Sequence, residues 1–212
     1  MRILLTILSI CLLACPLIGR PTAETAKSVV TIDMRHGLPE SRIRAIKVLP
    51  DGRVAIATAG YISVFDGTSF VNEAISLDNG IALATQDKNR QLYCDSSGVI
   101  WLKTPITRHN STARLLAFDP RTAQEITQTE TKRLKIENIK DFYIDNRRVP
   151  WMIDNANRLN MRKSAAWLPV INLDNLGSEL PSVLYNDGNS VYLCYNSGNV
   201  CVVDMAGGHL KY

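Results

Sequence analysis

Beyond residue 28 the sequence repeats itself, and the repeat leaves few folds open. Short runs of aliphatic, aromatic and β-branched residues are punctuated by Gly, Asn and Asp. One run reads Ile43-Arg-Ala-Ile-Lys-Val-Leu-Pro-Asp-Gly-Arg-Val-Ala-Ile-Ala-Thr58, then Gly60-Tyr-Ile-Ser-Val-Phe-Asp-Gly67. A second is Gln91-Leu-Tyr-Cys-Asp-Ser-Ser-Gly-Val-Ile-Trp-Leu-Lys-Thr104, with Leu115-Leu-Ala-Phe-Asp-Pro120 after it. A third spans Ile139 to Asp154 and continues at Arg158-Leu-Asn-Met161, and a fourth spans Val183 to Tyr195 and continues at Val200-Cys-Val-Val-Asp204. With Ala55, Trp101, Trp151 and Tyr192 taken as equivalent, successive spacings are 46, 50 and 41 residues. Asp66, Asp119 and Asp204 close the next strand of three units; in the third unit that place falls near Met161-Arg162 and is degenerate. A period of ~40–50 residues holding about four short strands is the signature of β-propeller blades.

Strand chemistry agrees. Turns such as Asp51-Gly52, Asp66-Gly67, Ser97-Gly98 and Asp187-Gly188 carry residues that tolerate positive φ. Strands such as Val191-Tyr-Leu-Cys-Tyr195 are apolar on both faces, as expected of a sheet covered on both sides, and the connections are too short for parallel crossovers. The expected fold is all-β: about four blades of about four antiparallel strands, at approximately residues 43–79, 80–130, 134–172 and 180–212, within a propeller region 28–212. Thr122 to Ile139 comes nearest to helical periodicity but is polar on every face, so no helix is expected there. The 189 residues after position 23, at a mean spacing of about 46, allow four blades, the rare minimum for a closed ring. An incomplete propeller, the product of a truncated reading frame, is the expectation.

The first 23 residues are an address. Met1-Arg2 is a short positive start, and Ile3 to Ile18 is almost wholly apolar. That is short of the ~20 residues that span a bilayer and reads as a secretory signal peptide. A retained anchor and lipidation at Cys15, through the lipobox-like Leu12-Leu13-Ala14-Cys15, are the alternatives; all three export the rest of the chain. Export leaves Cys94, Cys194 and Cys201, an odd number in an oxidising compartment. A turn centred on Ser197-Gly198 would place Cys194 opposite Cys201 at a hydrogen-bonded pair, too far apart for a relaxed bridge, so two thiols are expected.

Composition excludes other classes. Hydrophobic residues make up 46% and charged residues 21%, so a packed core is available. Formal charge is +4, and removing Arg2 and Arg20 with the signal leaves 22 basic against 20 acidic side chains, which is no footprint for nucleic acid. His36, His109 and His209 are far apart, and no metal site or cofactor is expected. The sequence lacks His-Glu-x-x-His, Gly-x-Ser-x-Gly and a phosphate loop, so no enzyme is expected. Asp154-Asn155-Ala156-Asn157 is half a calcium loop without its glycine and distal glutamate, and reads as a polar turn.

Asp33-Met-Arg-His-Gly-Leu-Pro-Glu-Ser-Arg-Ile-Arg-Ala-Ile46, the Pro-Asp-Gly turn, and Tyr61-Ile-Ser-Val-Phe-Asp-Gly-Thr-Ser-Phe70 resemble the opening blade of the two-component regulator propeller family. Asp95-Ser-Ser-Gly-Val-Ile-Trp-Leu-Lys-Thr104 is similar to that family's repeat core. The resemblance covers residues 29 to about 104 well and the rest loosely. Ala55 stands where an aromatic is usual, Lys103 replaces a small residue and Pro150 interrupts the third core. The resemblance implies the periplasmic sensor of a Bacteroidetes hybrid two-component system, which detects polysaccharide-derived oligosaccharides, dimerises when full-length and signals to a histidine kinase. The kinase is absent from this chain, which would meet the membrane only through its signal segment, a lipid anchor or a missing C-terminal span. It also implies that Ser28-Val-Val-Thr-Ile-Asp33 closes the ring as a strand of the last blade; a frayed leader strand without a partner is the alternative, which a truncated chain favours. An exported propeller scaffold or lipoprotein without a signalling role is the alternative.

One feature points to a ligand. From the core position to the closing aspartate the first unit takes 11 residues, the fourth 12 and the second 18. The extra length falls in Thr104–Thr112, on the rim that carries the inter-blade connections if the strand beginning at Ile43 is innermost. Arg108, His109 and Asn110 there could hydrogen-bond sugar hydroxyls or a carboxylate; a lengthened surface turn is the plainer reading. Trp101 and Trp151 have the shape of sugar-stacking platforms, yet their place in the repeat core marks them as packing residues.

Overall fold

The computed structural model describes residues 30–75, 92–103, 115–137, 139–176, 179–206 and 210–211. The chain divides into Met1–Thr31 and Ile32–Tyr212, and every element below lies in the second unit. Four antiparallel sheets follow one another, each a meander in chain order. The first holds β1 (Ala45–Val48), β2 (Val54–Ala57), β3 (Tyr61–Phe65) and β4 (Phe70–Ala74). The second holds β5 (Leu92–Cys94), β6 (Ile100–Lys103) and β7 (Leu115–Phe118). The third holds β8 (Ile139–Ile144), β9 (Pro150–Asp154), β10 (Arg158–Lys163) and β11 (Ala166–Asn172). The last holds β12 (Val183–Asn186), β13 (Ser190–Cys194), β14 (Val200–Asp204) and β15 (Leu210–Lys211). The first strand of each sheet lies beside the first strand of the next: β1 by β5, β5 by β8, β8 by β12. Short meanders stacked face to face about their first strands are propeller blades.

Three cores sit between four blades, and each has the same construction. The face of one blade that looks toward its successor is here termed leading, the opposite face trailing. Ala45, Ala55, Ala57, Ile62 and Val64 on the leading face of blade 1 pack with Leu92, Cys94, Ile100, Leu102, Leu116 and Phe118 on the trailing face of blade 2. Trp101, Leu115 and Ala117 lead from blade 2 onto Phe142 and Ile144 of blade 3. Tyr143, Trp151, Ile153 and Leu159 lead from blade 3 onto Leu184, Val191, Leu193 and Val203 of blade 4. Period-2 alternation sends successive residues of each strand to opposite cores, which is why strands such as β2 and β7 carry apolar residues on both faces.

The repeat alignment is reproduced strand for strand. Ala55 pairs with Lys47, Trp101 with Tyr93, Trp151 with Tyr143 and Tyr192 with Tyr185, always between the first two strands of a blade. The small Ala55 is accommodated because Leu116 and Phe118 of blade 2 fill the same core. Pro150 does not break the third core: it opens β9 and pairs only with Ile144, while pairing with β10 starts at Trp151, so no ladder donor is missed there. The third blade closes at Lys163↔Ala166, with Ser164 at a φ of 53° doing what Asp-Gly does elsewhere.

Several expectations are corrected. Blade 2 has a helix, α1 (Thr127–Leu134), after three strands. The Ile126 N–H donates to the Ala117 carbonyl and the Thr127 hydroxyl accepts from the Ala117 N–H, so residues 126–127 line the β7 edge before the chain coils. The helix is held from outside: the Leu134 carbonyl accepts from Arg162 Nη1 at 3.0 Å and Trp167 Nε1 at 2.7 Å, both from blade 3. These donors satisfy C-terminal carbonyls that the short helix cannot satisfy itself. The hairpin of blade 4 is one residue out of the expected register. Its loop has three residues, since the Tyr195 N–H donates to the Asn199 carbonyl and Gly198 takes a φ of 89°. Cys194 then faces Val200 and Cys201 faces Leu193, which puts the two sulfurs on opposite faces of the sheet. Cys94, Cys194 and Cys201 are free thiols. Val30 to Asp33, the described part of the ring-closing strand that the resemblance implies, is in no sheet, as the leader-strand alternative has it; Asp33 caps the 3₁₀ turn Met34–His36.

Candidate functional site

Two rims result from the meander. One carries the turns between first and second strands, and the other carries the inter-blade connections together with the turns between second and third strands.

The first rim is built for rigidity. Asp95 Oδ1 accepts from the Ser97 and Val99 N–H groups, and its Oδ2 accepts from Trp101 Nε1 at 3.0 Å. Asp145 repeats this: Oδ1 takes the Arg147 and Val149 N–H groups and Oδ2 takes Trp151 Nε1 at 2.9 Å. One carboxylate thus closes the turn and satisfies the indole donor six residues later. Trp101 and Trp151 are completely buried and form packing cores, so neither offers a stacking platform. Blade-to-blade latches run along the same rim. Asn186 Nδ2 donates to Asp145 Oδ2 at 2.9 Å, the Asn186 N–H donates to Asn146 Oδ1 at 2.7 Å, and Arg53 Nη1 donates to the Pro120 carbonyl.

The opposite rim carries the polar chemistry. Arg108, His109 and Asn110 lie outside the described residues, as does Cys15; the strands that flank 104–114 are described, and they end at the pair Lys103↔Leu115. Lys103 is partly buried at that point, its side chain 13% exposed, and reaches the buried Asp141 Oδ1 of the neighbouring blade at 2.9 Å. Its ammonium stands 4.3 Å from the Tyr143 ring centre and 6.0 Å from that of Tyr93. Tyr143 donates through its hydroxyl toward Asp141 Oδ2 and toward the Pro181 carbonyl just before β12, so the cluster ties three blades together. Burial pulls the Lys103 ammonium down, but its interactions with Tyr93 and Asp141 outweigh this and hold it above the ordinary lysine value. Burial, and after it the Asp141 carboxylate, pushes the Tyr143 phenol well above its ordinary value, so it stays protonated and donates. In sequence Lys103 stood out only as a replacement for a small residue. The signal that could have found its role was Asp141, at the start of the next blade's first strand.

On this rim a groove of about 370 Å³ lies between the connection entering blade 4 (Asn175, Leu176, Glu179) and the turn after β13 (Tyr195, Asn199, Val200, Cys201). Burial, ahead of the influence of Cys201 and Glu179, pushes the Tyr195 phenol up to about 12. Asp154 Oδ1 accepts from the Ala156 and Arg158 N–H groups, so Asp154–Asn157 is a hairpin turn of blade 3. Among the described residues no cluster of His, Cys, Asp and Glu has the makings of a metal site, and no helix is long and apolar enough to cross a membrane.

No protein-family model matches the chain, and no curated protein matches it in sequence. Among solved structures, the extracellular domain of the hybrid two-component system BT3049 of B. thetaiotaomicron is similar with a TM-score of 0.53 and 16% identity, over 86% of this chain and 26% of that one. The corresponding domain of BT4673 from the same organism gives 0.42 and 13% identity, over 86% of this chain and 30% of that one. YCF48 bound to D1 peptide gives 0.47 and 19% identity, over 87% and 56%. The chain spans about a quarter of the length of the BT3049 domain (26%), and at this identity the likeness is one of fold.

Proposed function

We propose that this chain is the exported, ligand-sensing propeller portion of a two-component receptor, and that it binds an oligosaccharide at the rim carrying the inter-blade connections. The observation that carries the reading is that the strands on either side of 104–114, β6 and β7, end at the pair Lys103↔Leu115. Lys103 itself belongs to the Lys103–Asp141–Tyr143 cluster, where three blades meet. A ligand held by Arg108, His109 and Asn110 would press on side chains that fix the relative position of those blades, which is a route from binding to blade geometry. The likeness of fold to the extracellular domain of BT3049 supports the receptor context. The chain's own part is recognition; phosphoryl transfer belongs to a kinase elsewhere.

Calorimetric titration of the chain with neutral and acidic plant, fungal and host oligosaccharides tests this. Saturable heat with one glycan class is expected, lost in Arg108→Ala and His109→Ala and kept in Asp66→Asn on another turn. Absence of binding across the panel, or binding indifferent to both substitutions, refutes it.

A further inference from the structure

The groove between the connection entering blade 4 and the turn after β13 has two fixed walls. On one side, the turn Asp174–Leu176 is pinned to the β9–β10 hairpin of blade 3. The Leu173 N–H donates to the Asn157 carbonyl, and Asn157 Nδ2 donates to Asp174 Oδ1 at 2.6 Å. On the other, the three-residue loop is closed by the Tyr195 N–H on the Asn199 carbonyl and the Gly198 N–H on the Tyr195 carbonyl. Glu179 joins the walls, its Oε1 accepting from the Ser197 N–H at 3.2 Å. Small-molecule sites are largely pre-formed in this way, and about 370 Å³ lies at the low end of their ~300–1,000 Å³ range.

The chemistry of the lining is one-sided. Glu179 supplies a carboxylate, Asn175 and Asn199 supply amide carbonyls, and Leu176, Val200 and Tyr195 supply apolar contact. Among the described residues that line the groove there is no lysine, arginine or histidine. The Tyr195 hydroxyl is buried without a hydrogen-bond partner, and a buried polar atom left so calls for a bound one. A lining of this kind disfavours an anion and leaves the positive charge to be brought by the ligand. We propose that the groove is a second site on this rim and takes a compact ligand bearing one ammonium group, an amine or an amino sugar, with the ammonium against Glu179 and the body of the ligand against Leu176, Val200 and Tyr195. Its charge preference is opposite to that of a site built from Arg108 and His109, so the two sites are separable.

Chemical-shift perturbation of the isotopically labelled chain tests this, with glucosamine as the probe at a pH that keeps its amine charged. Saturable shifts at the Ser197 and Asn199 amides are expected, with a Kd near or below about 1 mM. Glucose and N-acetylglucosamine, which lack the charge, should bind roughly tenfold or more weakly, the worth of one charge-assisted hydrogen bond. Glu179→Gln keeps an acceptor for the Ser197 N–H; it should erase the preference for glucosamine and leave the circular dichroism unchanged. Butylamine distinguishes the sources: binding as tight as that of glucosamine supports a site for simple amines, and weaker binding supports one for amino sugars. Arg108→Ala and His109→Ala, expected to abolish oligosaccharide binding at the 104–114 connection, should leave these shifts unaltered, so either site can fail without the other. The proposal is overturned by the absence of saturable shifts up to about 10 mM, by shifts that map away from the groove, by equal binding of glucose, or by a preference that survives Glu179→Gln.

Discussion

Asp145→Ala is the sharpest test of what holds a blade in shape. The side chain is buried and accepts four hydrogen bonds: from Arg147 N and Val149 N inside the turn, from Trp151 Nε1 in its own blade, and from Asn186 Nδ2 in the next. Truncation lets the turn amides reach water at small cost. The indole of Trp151 has no such escape, because the residue is wholly buried. A buried donor left unpaired costs about 1–3 kcal/mol, and Asn186, also buried, adds the loss of about one further hydrogen bond. The expected destabilisation is about 2–4 kcal/mol, a large share of the ~5–15 kcal/mol that holds a typical domain together. At ~2–4 °C per kcal/mol for a chain of this size, the midpoint should fall by roughly 5–15 °C.

The assay is urea unfolding followed by tryptophan fluorescence, run as a cycle with Trp151→Phe. Phe keeps the ring but removes the donor, so in that background Asp145→Ala should cost about 1–2 kcal/mol less, since no indole is stranded. Equal losses in both backgrounds would mean that the carboxylate acts only as a turn cap. A loss below about 0.5 kcal/mol in the parent background would refute the latch altogether.

Three further outcomes are expected. Lys103→Met strands the buried Asp141 carboxylate and should destabilise by about 3–5 kcal/mol, whereas Lys103→Met with Asp141→Leu should recover much of that in the same melt. Asp66, Asp154 and Asp187 have carboxyls held below the ordinary value. Backbone N–H donors at the turns do this for Asp66 and Asp187, and at Asp154 those donors and Arg158 overcome the opposing effect of burial. Their contribution is therefore complete above the unfolded value near pH ~4 and is lost as pH falls through the folded values, so stability should be flat above about pH 5 and decline below about pH 4; a decline beginning at pH 6 would contradict this. At pH 8 a maleimide should modify Cys194 well before Cys94, which is buried and whose thiol burial pushes up to about 11. Reduction should leave the mass of the unmodified chain unchanged; a loss of two hydrogens on purification would contradict the register of β13 and β14.

How far the sequence foretold this molecule follows from where each signal is stored. The equivalence of Ala55, Trp101, Trp151 and Tyr192 was legible because a blade strand is covered on both sides, and turn glycines mark its ends. Repeated hydrophobic runs and turns are local in sequence, so they survive without coordinates. The Asp95–Trp101 and Asp145–Trp151 bonds were half legible: a spacing of six residues occurs twice, but an aspartate before a turn reads first as a cap, and only the fold brings the indole back to its second oxygen. Helix α1 was not legible, for its stability is not its own. Polar all round, it is fixed by Arg162 and Trp167 about 30 residues further on, and no window over 127–134 contains them. The slip at Cys194 and Cys201 shows the opposite limit. A single residue added to the loop, Asn196 to Gly198 in place of two, reverses the face of everything after it. That slip sends Cys201 into the core shared with blade 3 and leaves Val200 and Val202 on the leading face. The loop length therefore decides which side chains of the last blade enter the core shared with blade 3, and through Asn199 and Val200 it also forms one wall of the rim groove.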